Sequence, residues 1–426
     1  RLLSFLRNRR FTIKSYREFL QKLQTGKHAT DINDIPVDLN LLHVISLFIR
    51  HVQEPSHVDN LVVTHAIVQG LWMNGSKFLY AYTLHNEEHA VELIRQSVRI
   101  IRTIDILSIK HEDFYTLFLA CYLHDLSMVV QPNIANFVKN TTTTNLLATS
   151  CLEDIKLKEN TEGLSLTSVK EIMVNAFQAV YSYFEDSVRK KHPVDSAIFI
   201  RNRMKEFFSY LDAPLMENVA KVAESHGWET NEVYGRKSFS EKELVSMKYM
   251  MILIRLADLL DMSKDRINYF LLKENMKNLS LTSCFHWITH YITNKVEFTA
   301  DYKYEKEKIN ELISVNIYLN INKQIPCSHK SKKCKDWKYV IKDNRIQNVT
   351  VNQAYSGAGC KSCRLICKWM HAKNEWLFSE LHELEKYVKL VNVALFSSKI
   401  QVNLIMDSNN KLDSELFDKV LEFLEE

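Results

Sequence analysis

The sequence predicts a mostly α-helical fold: a helical bundle followed by a smaller α+β portion with a short antiparallel sheet. Three observations predict it. Glycine is scarce, 8 residues in 426, against about 7% in average proteins, which disfavours turn-rich β architectures. Apolar residues recur at spacings of three and four through roughly the first two thirds of the chain, the mark of amphipathic helices. From about residue 285 the pattern changes to alternation with β-branched residues, the mark of strands.

In chain order, the helical period falls on 14–25, 61–73, 87–107, 113–125, 167–186, 194–211, 215–225 and 240–262. Polar stretches at Asp31–Pro36, Thr141–Thr144 and Gly227–Ser238 punctuate it, and the weakly periodic 140–165 is expected to be a loop or lid. Residues 311–321 and 398–405 alternate as strands, and 286–303 can supply one or two more. A helix is expected over 374–390, where Trp376, Leu377, Leu381, Leu384 and Tyr387 form one stripe, and another over 412–425. The chain therefore divides into a helical extension at 1–60, a main helical domain at 61–280 and an α+β domain at 281–426.

Composition removes several function classes. Lys and Arg number 55 against 51 Asp and Glu, spread along the chain, which argues against a dedicated DNA-coating protein. No GxxxxGK[ST] and no GxGxxG occur, which excludes P-loop and Rossmann chemistry at the level of motifs. No apolar run reaches 18 residues, so no membrane partner is expected. The opening RLLSFLRNRR lacks the long apolar stretch of a signal peptide, and with no secretion signal a reduced cytoplasmic setting is expected for the eight cysteines.

The chemistry-bearing residues lie at or near the ends of the expected helices. They are His85 in YTLHNEEHA, His124 and Asp125 in CYLHDLSM, His192 in RKKHPVD, His226 in ESHGW and Asp258 in RLADLLD. A lone histidine on an apolar helix face is more often a hydrogen-bonded core residue than a ligand. The order His, His-Asp, two isolated His, then Asp in an apolar helix is what argues for a site. Imidazole and carboxylate together suit Mn, Fe, Co, Ni, Zn or Mg. Adjacent His and Asp on a helix point about 100° apart, so the pair can reach one ion or bridge two. Asp258 has almost only apolar neighbours in sequence, and a buried carboxylate needs a cation beside it. That cation is a metal or, in the plainer reading, Arg255 or Arg266; Asp261 replaces Asp258 if the register shifts.

This order resembles the H…HD…D signature of the HD superfamily of metal-dependent phosphohydrolases. His192 in KHP and His226 in HG resemble the extra histidines of its dinuclear members. The combination LHNEEHA, LHDLSM, HGW and IRLADLLD is closest to the HD-CE type of bacterial conflict systems, often joined to a GHKL-type ATPase module. The GYP tripeptide is absent, so cyclic-di-GMP is not supported as substrate. The resemblance implies a helical HD domain that hydrolyses a nucleotide or phosphodiester with a metal-activated hydroxide, in antiviral defence. It places His85, His124, Asp125 and Asp258 on a first ion, and His192 and His226 on a second with Asp125 bridging. His89 would share the helix face of His85 as an orienting or proton-donating group. Arg189, Lys191, Arg255 and Arg266 are the expected phosphate contacts, with Lys190 a solvated charge. Two readings stand beside this one. The first is a nucleotide-sensing module regulating an attached ATPase or effector. The second is a single-strand nuclease, for which only scattered residues speak (Arg201, Arg203, Lys205, Trp228, Tyr234). Assembly into a homo-oligomer stays open.

A second constellation is the run of cysteines between Cys327 and Cys367. Cys327, Cys334, Cys360 and Cys363 have spacings that suit a tetrahedral structural zinc, with Cys367 packed in the following helix and His329 in reserve. Buried free thiols are the alternative.

Overall fold

The computed structural model describes residues 39–51, 54–74, 85–104, 109–130, 138–139, 142–161, 165–202, 212–236, 246–277, 279–305, 308–320, 341–342, 345–349, 369, 376–387, 396–406 and 413–425. The zinc candidates Cys327, Cys334, Cys360 and Cys363 lie outside the described residues, as do Cys367, His329, the helix expected over 14–25 and the groove candidates Arg203 and Lys205.

The helices are α1 (Leu39–Ile49), α2 (Pro55–Asn74), α3 (Glu87–Thr103), α4 (His111–Leu123), α5 (Leu126–Val130), α6 (Thr142–Thr161), α7 (Leu166–Asn202), α8 (Ala213–Glu224), α9 (Thr230–Tyr234), α10 (Met247–Leu260), α11 (Tyr269–Asn275) and α12 (Leu281–Ile292). Then come strands β1 (Thr293–Glu305), β2 (Lys308–Leu319), β3 (Ile341–Lys342) and β4 (Arg345–Val349), a helix α13 over 376–387, β5 (Phe396–Met406) and α14 (Ser414–Glu425). None of the described helices is long and apolar enough to cross a membrane.

Two helices form the axis of the bundle. α4 and α10 are buried almost all round, as their nearly unbroken apolar sequences require. They pack on each other and on α3 and α8. The Asp113 carboxylate accepts from Ser246 N at 2.7 Å, tying the start of α4 to the start of α10. From that tie, helical rise carries each chain about 17–18 Å. His124 and Asp125 at the end of α4 therefore arrive level with Asp258 at the end of α10.

The structure differs from the periodicity reading in three places. The expected loop at 140–165 contains α6, whose side chains with a described burial, at 149 and 152–160, are mostly exposed; a helix without an apolar stripe has no periodic signal to read. The helices expected at 167–186 and 194–211 merge into α7, which passes through Pro193. Proline removes the bond that its own N–H would give to the Arg189 carbonyl, and His192 Nδ1 donates to that carbonyl instead, at 2.6 Å. Part of 286–303 is helical, because α12 runs to Ile292 before β1 begins.

The sheet has the order β1-β2-β5-β4-β3. β1 and β2 form an antiparallel pair in which Val296 faces Ile317, and Phe298 faces Val315. The short antiparallel sheet expected from sequence is thus part of a larger mixed one, since β5 lies parallel to β2 and sets Ile400 and Val402 beside Ile313 and Val315. These residues are buried on one face. Their side chains continue the core into the C-terminal region, where α12 packs on α14 through stacked Phe285 and Phe423.

Candidate metal centre

Four imidazoles and two carboxylates meet where these helices end. The Asn86 side chain caps α3 by accepting from His89 N at 3.3 Å, so His89 sits in the first turn and turns inward. His124 closes α4 and Asp125 follows it in the turn to α5. His192 precedes the proline of α7, and His226 lies in the 3-10 turn Ser225–Gly227 that ends α8. Asp258 occupies the last turn of α10. α4, α8 and α10 thus direct their C-termini at one point, where partial negative charge favours a cation.

Two groups of donor atoms result, each within 4.8 Å: His89, His124 and Asp258 in one, and Asp125, His192 and His226 in the other. Asp125 joins them. Its Oδ2 lies 3.0 Å from His124 Nε2 and 3.5 Å from His89 Nε2. Its Oδ1 lies 3.2 Å from His192 Nε2 and 3.7 Å from His226 Nε2. One buried carboxylate therefore serves both groups, one oxygen to each.

The far nitrogen of every imidazole is pinned. His124 Nδ1 meets Cys121 O at 3.0 Å, His192 Nδ1 meets Arg189 O, and His226 Nδ1 meets Ala223 O. A carbonyl can only accept, so each Nδ1 carries the hydrogen and each Nε2 is left as a lone pair. His89 Nδ1 donates to Asp261 Oδ2 at 2.6 Å with the same result. Yet Nε2 of His192 and His226 are 2.8 Å apart, and Nε2 of His89 and His124 are 3.3 Å apart. Two lone pairs at such distances repel unless a positive charge lies between them. The ionisation equilibria supply one in the absence of metal. Burial and the nearby Arg266 charge push the His89 pKa down, but hydrogen bonds to Asp258 and Asp261 outweigh them and hold it at about 9. His192 is also raised: burial opposes its charge, and the Asp125 hydrogen bond overcomes that. His226 is driven down to about 3 by burial and then by the charges of His192 and His124. Burial works against the Asp125 carboxylate, but His124 and His192 keep it well below the usual carboxylate range. The N/O donor set of each half suits a divalent ion in place of such a charge. The Asp258 side chain is 31% exposed, which leaves an approach from solvent.

The family model for HD-CE matches residues 79–320, more than half of the 426-residue chain. The chain belongs to the HD-CE family. No curated protein and no solved structure matches it significantly. In this HD-CE domain every histidine and aspartate of the two groups falls inside the matched residues.

The geometry corrects the order of the first two histidines. His85 precedes the cap Asn86 and so is off the helix, its ring centroid 5.4 Å from that of His89. His89 is the residue whose Nε2 joins His124 and Asp258. Asp258 is paired with His89 rather than with Arg255 or Arg266, so the plainer ion-pair reading does not hold. Arg255 cannot serve as a phosphate contact: it is buried and ion-paired with Glu380 at 2.8 Å. Arg266 sits 3.6 Å from Asp261 Oδ2, behind His89. It lines a cavity of about 300 Å³ with Arg95, Arg99 and Lys295. Arg189 gives its carbonyl to His192, and Lys191 is exposed on α7.

Residues that sequence reasoning did not assign also shape the site. Asp261 orients His89, and its place at the cap of α10 is visible only once the helix end is known. Gly227 has a packing role: a Cβ there would lie 2.7 Å from Pro193 Cβ and nearer still to Cγ. The HP and HG dipeptides thus interlock, and that contact seats His192 beside His226.

Proposed function

We propose that this HD-CE protein is a metal-dependent phosphohydrolase acting on a nucleotide or another phosphate ester. The observation that carries the reading is the pair of donor groups sharing Asp125, with the Nε2 atoms of His89 and His124 facing each other in one and those of His192 and His226 in the other. Bound divalent ions supply Lewis acidity: they lower the pKa of a water and screen charge on phosphate oxygens. The residues do the rest. His89, His124 and Asp258 would hold one ion, and His192 and His226 the other. Asp125, with one oxygen toward each group, would be shared between the two. Asp261 keeps His89 in the tautomer that presents Nε2. His85, beside His89 at the start of α3, is placed to exchange a proton with a leaving group. Arg189 and Lys191 precede His192 on α7 and are the candidate phosphate contacts.

The test is hydrolysis of bis(p-nitrophenyl) phosphate and a panel of nucleotides by the full chain, with Mn(II) added or removed, against the Asp125→Ala variant. Turnover that depends on metal and disappears in the variant is expected. Tight nucleotide binding with no turnover at any metal concentration would replace this reading with that of a sensor.

A further inference from the structure

Arg255 and Glu380 form a buried charge pair that the proposed reaction does not use. Arg255 lies on α10, and Glu380 lies on α13, outside residues 79–320 that the family model matches. Both are essentially inaccessible to solvent. Arg255 Nε and Nη2 donate to Glu380 Oε2 at 3.0 and 2.8 Å. Its Nη1 donates to Ser225 O at 2.6 Å and to Trp228 O at 2.5 Å. Those two carbonyls bracket His226 and Gly227. Thr230 Oγ1 and Tyr234 OH, on α9 just beyond, donate to Glu380 Oε2 and Glu380 O at 3.4 and 3.3 Å. A guanidinium is planar and its donors are fixed relative to one another. Holding one edge against Glu380 therefore fixes where the other edge draws the 225–228 turn. That turn aims His226 Nε2 at His192 and Asp125.

We infer that Arg255 and Glu380 are positioning residues for the Asp125–His192–His226 half of the centre, and that α13 governs the occupancy of that half. The other half is held separately: His89 rests on Asp261, and His124 on Cys121 O. The inference rests on the metal-centre reading. An ion pair buried this deeply is costly to assemble, and loss of one partner leaves an uncompensated charge. Arg255 without its carboxylate would turn away from Ser225 O and Trp228 O, and the 3-10 turn would lose its brace.

Calorimetric titration of the metal-free full chain with Mn(II) tests this. The wild type is expected to take two ions. Glu380→Gln keeps the shape and removes the charge; its second ion is expected to bind about 10–100-fold more weakly, the range for groups that orient a ligand, with the first unchanged. Circular dichroism checks that the variant is folded. If it is not, Arg255→Lys keeps a charge opposite Glu380 but has no fork, and the same selective loss is expected. Two ions bound with wild-type affinity by either folded variant would overturn the inference, as would an equal weakening of both ions. Failure of both variants to fold would make the pair a stability element only and also overturn it. A wild type that takes one ion overturns the inference together with the second half-site. A wild type that takes none sinks the phosphohydrolase reading itself.

Discussion

The two halves of the candidate metal centre are built from the same kinds of donor but held in different ways. In the first, His89 leans on a carboxylate, Asp261, and its partners His124 and Asp258 end two buried helices tied together at their starts. In the second, His192 and His226 lean on backbone carbonyls at interruptions of helical geometry, at Pro193 and in a 3-10 turn. The first half thus rests on the Asp261 carboxylate and a rigid frame, the second on backbone breaks with the Arg255–Glu380 pair behind one of them. Substitutions at Asp261 should disturb one, and substitutions at Gly227 or in the Arg255–Glu380 pair should disturb the other.

Removing the shared residue abolishes the distinction and has the largest expected effect. Asp125→Ala should lose both ions and lower turnover by more than about 10²-fold, beyond the range of orienting residues, as read by elemental analysis and phosphodiester hydrolysis. Single-ligand changes separate the halves: Asp258→Ala should weaken one ion and His226→Ala the other, each leaving one ion in a Mn(II) titration. Next comes Asp261→Asn, expected to weaken the first ion about 10–100-fold and leave the second alone. Gly227→Ala inserts a methyl against the Pro193 ring. It should cost about 1–3 kcal/mol of stability in chemical denaturation and weaken mainly the second ion. The smallest expected effect is that of pH on the metal-free protein. The folded-state pKa of His89, about 9, lies above its ordinary 6.5. Its stabilisation is therefore fully present below about pH 6.5 and fades as pH rises through 9. Denaturation midpoints of metal-free protein at pH 6 and pH 9.5 should show the fall, and added Mn(II) should reverse it at the higher pH.

The parts of this site legible in the sequence are those that local chemistry dictates. His124 and Asp125 sit together because the dipeptide ends a strongly apolar helix, and Asp258 is conspicuous as a carboxylate among leucines. Pro193 and Gly227 mark breaks beside His192 and His226. What was not legible depends on helix ends and on distant contacts. His85 and His89 look equivalent along the chain, and only the Asn86 cap decides which is turned inward. Arg255 looks like a phosphate contact until Glu380, 125 residues later, takes its charge. The α6 helix left no trace because its described second half, 152–160, is mostly exposed and carries no apolar stripe.

By itself the amino-acid order determined a helical bundle ahead of mixed strands and helices, and donors suited to divalent cations. Those outcomes follow from hydrophobic period and side-chain chemistry, which act over a few residues. Tertiary structure alone decided how the donors divide into two groups, which imidazole joins each, and that a C-terminal helix braces one of them. Such choices turn on ångström-scale distances between segments from 34 to 172 residues apart, and packing sets those distances.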